Sequence, residues 1–305
     1  MNVYTKHKKM EEALKQYDLP RITFVDDLKD AHFIIDGHFD QHDYHPDLKG
    51  VIIPYTGHNG IDLDAMRKHD LMLFITPTRS RYVAEKAIAL MFALLGRVVH
   101  YHTLLQTGNW AERNTQKRQP WTSIQGKTVG LFGYGRIGKR IHHMLQGFDC
   151  DFATIDRGHD YEDNLLLVKN LTNLIQVSDV IFISTPLNKT TEGIFDQNKF
   201  ARMNNKFLIN VARGAICEEE SLYQALKTGT LHGYASDVWY QYPKGKEAQL
   251  PSTYPIYDLD NVVLSNHSGG FTETTNKEVN EDLIKTLKQL EQEDYSKKLN
   301  LDTLL

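Results

Sequence analysis

Residues 128–156 read TVGLFGYGRIGKRIHHMLQGFDCDFATID. The order is a short apolar run, three glycines (Gly133, Gly135 and Gly138), an amphipathic stretch, a second apolar run and then an acid. Such an order folds as strand, tight turn, helix and parallel strand. It leaves backbone N–H groups unpaired at the helix N-terminus, where a dinucleotide pyrophosphate sits. Gly133 permits the turn, Gly135 lets phosphate approach the backbone, and Gly138 lets the helix lie close on the strand; Arg136 and Ile137 stand between them at the helix start. Asp156 is placed to accept from a ribose 2'-hydroxyl and to repel a 2'-phosphate, so the expected cofactor is NAD rather than NADP. Arg157 pulls the other way, because a guanidinium there pairs with a phosphate.

The 305 residues leave room for two domains, each with its own core. A formal net charge of -4 and the lack of any Lys/Arg block argue against nucleic acid or an anionic membrane as a partner. The most apolar stretch, Ala87 to Leu95, is too short to span a bilayer and reads as a buried helix. The first residues, MNVYTKHKKMEEALKQY, lack the apolar core of a secretory signal, and the expected address is the cytoplasm. Cys150 and Cys217 suit reduced, structural thiols better than a disulfide.

On either side of the glycine turn the chain repeats the same alternation. Before it, strands are expected at Ile22 to Val25, His32 to Asp36, Gly50 to Tyr55 and Leu71 to Thr76, with a helix over Asp62 to His69. These form a small parallel-sheet domain. A single long helix is expected over Tyr82 to Tyr101, as a hinge element, followed by a polar connector, TGNWAERNTQKRQPW. After the turn, runs at Val180 to Thr185, Lys206 to Ala212, Gly233 to Trp239 and Asn261 to Asn266 are separated mostly by helical stretches, as a doubly wound parallel sheet requires. A charged helical pattern runs on from Thr272.

Ligands bind outside the carboxyl ends of parallel strands, and four ends of the second sheet carry unusual residues. These are Thr185-Pro186, Arg213-Gly214, Asp237, and His267-Ser268-Gly269-Gly270. An arginine at a strand end is a natural anchor for a carboxylate, because its planar fork matches two oxygens. A histidine in the same crevice exchanges a proton near neutral pH. Singly, each residue is as well explained by a surface ion pair or a satisfied core histidine; together at adjacent strand ends they are not.

The segments GKTVGLFGYGRIGKR, STPLNKTTEGIF, LINVARGAICEEESLYQAL, GYASDVW and NVVLSNHSGG resemble the NAD-binding half of the D-isomer-specific 2-hydroxyacid dehydrogenases, and GHNGIDLDAM with TPTRSRYVAEKAIALMFALLGR resembles that family's hinge region. The resemblance implies an α/β architecture of two doubly wound parallel-sheet domains. A Rossmann cofactor domain, 80–267, is inserted into a flavodoxin-like substrate domain, 1–79 plus 268–305. It implies Arg213 as the substrate-carboxylate arginine, His267 as the acid/base, and backbone N–H groups around Thr56 and Gly57 as further carboxylate contacts. Thr185, Pro186, Val211, Ala212 and Gly269 are implied to line the cofactor, with Asp237 contacting the nicotinamide carboxamide. A homodimer is implied by the hinge helix and the Trp110 segment, which are similar to the family's two-fold interface. The implied reaction is hydride transfer between NAD and a small 2-keto or 2-hydroxy acid.

One departure stands out. The family carries a Glu before the Pro of its Asp-Val-Phe-x-x-Glu-Pro segment, a carboxylate that favours the protonated histidine. Here Tyr242 holds that place, before Pro243, so His267 is expected to have a lowered pKa. Formate dehydrogenases also lack the Glu, which makes formate oxidation an alternative. Against it, those enzymes are similar to one another at an Asn where this chain has Arg79. Arg79 is either a contact for a second anionic group on a larger substrate or a solvated hinge arginine. A further alternative is an NAD-sensing binding protein of the corepressor type. The polar run His38, Asp40, His42, Asp43, His45 has metal-ligand residue types but reads as a solvated loop, and no metal is expected. Glu218 to Glu220 read as a helix start.

Overall fold

In chain order the computed structural model begins with β1 (Asn2–Tyr4), α1 (Lys8–Leu14), β2 (Thr23–Phe24), β3 (Phe33–Ile35), β4 (Gly50–Ile53), α2 (Leu63–Lys68) and β5 (Met72–Ile75). It describes residues 1–55, 57–110, 120–158 and 161–304. The five strands pair in parallel in the order β2-β1-β3-β4-β5, the flavodoxin-like winding. Alternation across the pleat divides the apolar residues between two faces. Phe33, Ile35, Ile52 and Phe74 form one buried cluster, while Ile34, Val51, Ile53 and Leu73 form the other with Ala65 and Met66 of α2. β1 is missed by reading the sequence because three residues are too few to show a period.

The chain continues through α3 (Ser80–Leu95), α4 (Val98–Gln106), β6 (Thr128–Phe132), α5 (Arg136–Leu145), β7 (Asp151–Ile155), β8 (Leu165–Val168), α6 (Leu171–Val177), β9 (Val180–Ile183), α7 (Gln197–Phe200), β10 (Lys206–Asn210), α8 (Glu219–Lys227), β11 (Leu231–Ser236) and β12 (Val262–Leu264). The sheet order is β12-β11-β10-β9-β6-β7-β8, all parallel. The winding reverses between β6 and β9, the switch point where a dinucleotide binds. One face packs Val129, Val180, Phe182 and Ile209 against α3 and α5; the other packs Ile181, Ile183 and Leu208 against α6 and α8. Each such side chain contributes about 1.5–3 kcal/mol by leaving water.

A final helix, α9 (Thr275–Glu291), returns to the first sheet, burying Val279, Leu283, Ile284 and Leu287 against Phe33 and Phe74. The described chain therefore divides into two compact units, Met1–Ser80 with Gly270–Leu305, and Arg81–Gly269.

One element differs from expectation. The segment from Tyr82 to Tyr101 is two helices meeting at a 60° bend. Arg97 takes the left-handed conformation (φ 51°), and a Cβ at Gly96 would stand 2.7 Å from the Phe92 carbonyl oxygen. Apolar periodicity runs on through the break, which hides it from a pattern-based reading. No single helix among the described residues is long and apolar enough to cross a membrane. Cys150 and Cys217 are unpaired. Most of the polar connector after α4 lies outside the described residues.

Candidate active site

The glycine turn follows β6 as its spacing demands. Gly133 has φ +108°, and a Cβ there would lie 2.7 Å from the Thr185 nitrogen, so only glycine fits. A Cβ on Gly138 would run into the Gly133 carbonyl oxygen, which lets α5 lie hard against the turn. Gly135 is the N-cap of α5, with open space where its Cβ would be and no side-chain cap on the helix. The first N–H groups, at Arg136 and Ile137, thus face a surface that phosphate oxygens can reach. Ser184 donates to the Gly133 carbonyl at 2.8 Å and ties the turn to the end of β9, beside Thr185 and Pro186. Asp156 stands directly after β7, exposed, with Oδ1 accepting from the Gly158 N–H at 2.9 Å. Its other oxygen has no protein partner among the described residues, which suits a ribose hydroxyl. Arg157 is exposed and donates its backbone N–H to the Tyr161 hydroxyl. An open cradle at a helix start, with an acid at the next strand end, fits a bound NAD.

The half-buried Tyr134 and the buried His142 form a pair that no sequence pattern marks. Tyr134 lies between Gly133 and Gly135, and its hydroxyl is 2.7 Å from Nδ1 of His142, whose ring is buried. Burial pushes the His142 pKa down, opposed by the Glu162 carboxylate, and pushes the Tyr134 phenol up to about 12. His143, the next residue, is exposed.

At the far side of the switch point, polar residues at strand ends position Arg213 and His267. Asn210, the last residue of β10, is fully buried; its Nδ2 donates to the Arg213 carbonyl at 2.9 Å and its Oδ1 accepts from the Ala212 N–H at 3.0 Å. A Cβ on Gly214 would stand 2.5 Å from the Trp239 backbone, so the Arg213 turn packs directly on the segment after β11. Val211 and Ala212 are buried beside it. Arg213 donates from Nη1 to the Ala212 carbonyl at 2.6 Å, which leaves most of its donors for a ligand.

Asp237 closes the other half of the arrangement. It is buried, and its carboxylate accepts from the Ser265 hydroxyl at 2.6 Å and from the N–H groups of Ser268 and Gly269 at 3.0 and 2.7 Å. These three bonds span His267, which is held at φ +57°, a conformation few non-glycine residues adopt. The Trp239 indole adds a bond to the Ser265 carbonyl at 2.7 Å. A carboxylate has about four acceptor positions, so one remains open.

Tyr242 stands against His267, ring centroids 5.4 Å apart and planes tilted by 49°. Its hydroxyl accepts from the Trp239 N–H at 3.0 Å. Burial raises the Tyr242 pKa, so the phenol is neutral and gives the imidazolium no counter-charge. The His267 pKa is lowered, first by desolvation and then by Arg213, against the opposing charge of Asp237. This is the direction expected from the missing glutamate.

In the first unit, Gly57 follows β4, and Thr56 lies outside the described residues. Arg79 ends a short 3-10 turn, Pro77–Arg79, with its guanidinium carbon 5.8 Å from the Tyr55 ring centre and 5.1 Å from that of Phe271. In the loop after β3, His38, Asp40 and Asp43 bring ligand atoms within 4.8 Å of one another. Both acids are already occupied in capping the turn that starts at Gln41. At the start of α8, Glu219 accepts from the Tyr254 N–H at 2.9 Å.

The family model described as "D-isomer specific 2-hydroxyacid dehydrogenase, NAD binding domain" matches residues 88–269. A formate dehydrogenase of Chaetomium thermophilum is 30% identical over 269 residues, covering 81% of this chain and 71% of its own. A glyoxylate reductase of Thermofilum pendens is 32% identical over 240 residues, covering 74% and 67%. Among solved structures, an acyclic imino acid reductase in complex with NADPH and D-Arg superposes with a TM-score of 0.82 at 21% identity, covering 98% of this chain and 100% of that one, a likeness of fold. The chain belongs to the D-isomer-specific 2-hydroxyacid dehydrogenase family and carries its NAD-binding domain.

Proposed function

We propose that the chain is an NAD-dependent reductase of a 2-keto acid, with Arg213 and His267 as its substrate-handling groups. The observation that supports this reading is the pair of pins, Asn210 under Arg213 and Asp237 across His267, which hold an arginine after β10 and a histidine after β12, on either side of the end of β11. NAD, when bound on Gly133 to Gly138 and Asp156, supplies or accepts the hydride. Arg213 clamps the substrate carboxylate through two N–H donors and fixes the adjacent carbonyl. His267 donates a proton to the carbonyl oxygen as negative charge develops there, and takes it back in the oxidative direction. In this reading the unit containing β1 to β5 and α9 is the substrate domain. Asp156 supports NAD over NADP, with Arg157 setting how strict the choice is.

Formate oxidation is the second reading, favoured by the neutral Tyr242 and by the formate dehydrogenase relative. Formate carries no carbonyl to protonate and has no use for a general acid. NADH oxidation driven by 2-keto acids, set beside NAD reduction by formate, separates the two. Turnover above roughly 1 per second on a 2-keto acid supports the reductase; turnover on formate alone overturns it, and silence on all of them favours an NAD-sensing protein. We also place the enzyme in the cytoplasm as a homodimer. Its two unpaired thiols support the first. Val98, Val99, Leu105, Trp110 and Trp121, all exposed along α4 and its flanks, support the second.

A further inference from the structure

The backbone around His267 is pinned by hydrogen bonds, but its ring is not. Asp237 accepts from Ser265, Ser268 and Gly269, on either side of the histidine, and among the described residues no hydrogen bond or ion pair reaches an imidazole nitrogen. What the ring touches is Tyr242, with centroids 5.4 Å apart, inside the range over which aromatic rings attract one another. Tyr242 is itself tied down. Its hydroxyl accepts from the Trp239 N–H at 3.0 Å, and the Trp239 indole donates to the Ser265 carbonyl at 2.7 Å. Trp239 is buried and packs edge-on against the fully buried Tyr234, ring centroids 6.3 Å apart. One residue anchored in the core thus holds both the phenol after β11 and the turn that carries the imidazole after β12.

We propose that Tyr242 is a positioning residue for His267, its ring holding the imidazole by packing in the place where the family's glutamate holds it by charge. The inference rests on the reductase reading and deepens it, and every group it uses lies in the unit Arg81–Gly269. A carboxylate against an imidazole does two things at once: it orients the ring and it favours the cation. A neutral ring does only the first, and by keeping water from one side it disfavours the cation. Of the charged groups facing His267, Asp237 favours the imidazolium and Arg213 opposes it; with the phenol neutral, desolvation keeps the pKa lowered. His267 is otherwise exposed, so without Tyr242 its side chain is free to turn between rotamers.

The test compares the wild type with Tyr242→Ala and Tyr242→Phe in two measurements: kcat and KM for NADH oxidation by a 2-keto acid, taken at a pH where the imidazole is protonated in all three, and an NMR titration of His267. Tyr242→Ala lowers kcat by about tenfold or more, the scale of a misplaced reacting group, and leaves KM, which Arg213 sets, nearly unchanged. In the same variant the His267 pKa rises toward the ordinary value of about 6.5, because water reaches the ring. Tyr242→Phe keeps the ring and restores most of both losses. A fall in kcat with a rise in pKa is the mark of a lost neutral clamp, and NADH binding reports that each variant is folded. Wild-type kcat in Tyr242→Ala, or a loss that Tyr242→Phe shares in full, overturns this inference alone. If the wild type reduces no 2-keto acid, the reductase reading falls and the positioning role with it, whatever the titration shows.

Discussion

Tyr242 and His267 decide how the site titrates. In the proposed reduction His267 must carry its proton in the free enzyme, and its lowered pKa means that kcat/KM falls as pH rises through a midpoint below the ordinary histidine value of about 6.5. The oxidative direction needs the neutral ring and rises over the same interval. Tyr242→Glu places a carboxylate beside the imidazole, stabilises the cation and moves both limbs upward by about one pH unit. A pH profile of kcat/KM that stays fixed in the variant contradicts this. The departure at Tyr242 is legible in the sequence because the Asp-Val-Trp segment and Pro243 fix its register. Asn210 and the left-handed backbone of His267 are not legible, since their roles depend on hydrogen bonds between segments far apart in the chain. A polar residue closing an otherwise apolar strand, as Asn210 does in FLIN, is the one signal that points to it. The half-buried Arg79, whose Nε has no hydrogen-bond partner among the described residues, is another residue whose surroundings no local pattern encodes.

At the scale of the element, the turn from β6 into α5 was readable in full, because each glycine answers a separate steric demand. Gly138→Ala tests the tightest one. In an exposed helix this change gains about 1 kcal/mol of propensity, but here the new Cβ meets the Gly133 carbonyl, and overpacking costs about 1–3 kcal/mol. The expected outcome is a lower Tm and NADH affinity weakened by at least about tenfold, since the turn that holds the phosphates is displaced. Gly147→Ala, with open space around its Cβ, leaves both nearly unchanged. Equal behaviour of the two variants in thermal melts and NADH titrations contradicts the packing argument. The break between α3 and α4 was not readable, because it rests on two backbone conformations that interrupt no apolar period. β8 was missed for a different reason: Leu166 and Leu167 on this edge strand are exposed, so no alternation marks it.

The whole molecule returns to its first sheet through α9 after the cofactor-binding unit is complete, a connection that no local pattern encodes and that only the family resemblance implied. The exposed apolar residues of α4 set the expected assembly. Size-exclusion chromatography of the cytosolic fraction should give twice the 35.1 kDa chain mass, and a monomer at micromolar concentration, or its absence from that fraction, contradicts the proposed dimer and location. Steady-state kinetics of NADH oxidation by a 2-keto acid, comparing the wild type with Arg213→Ala, bear most directly on the proposed chemistry. One group that both binds and orients must act on both constants, so the variant raises KM and lowers kcat, with kcat/KM down by at least about 100-fold. Full activity in Arg213→Ala would show that the carboxylate is held elsewhere and that the reductase site is misassigned.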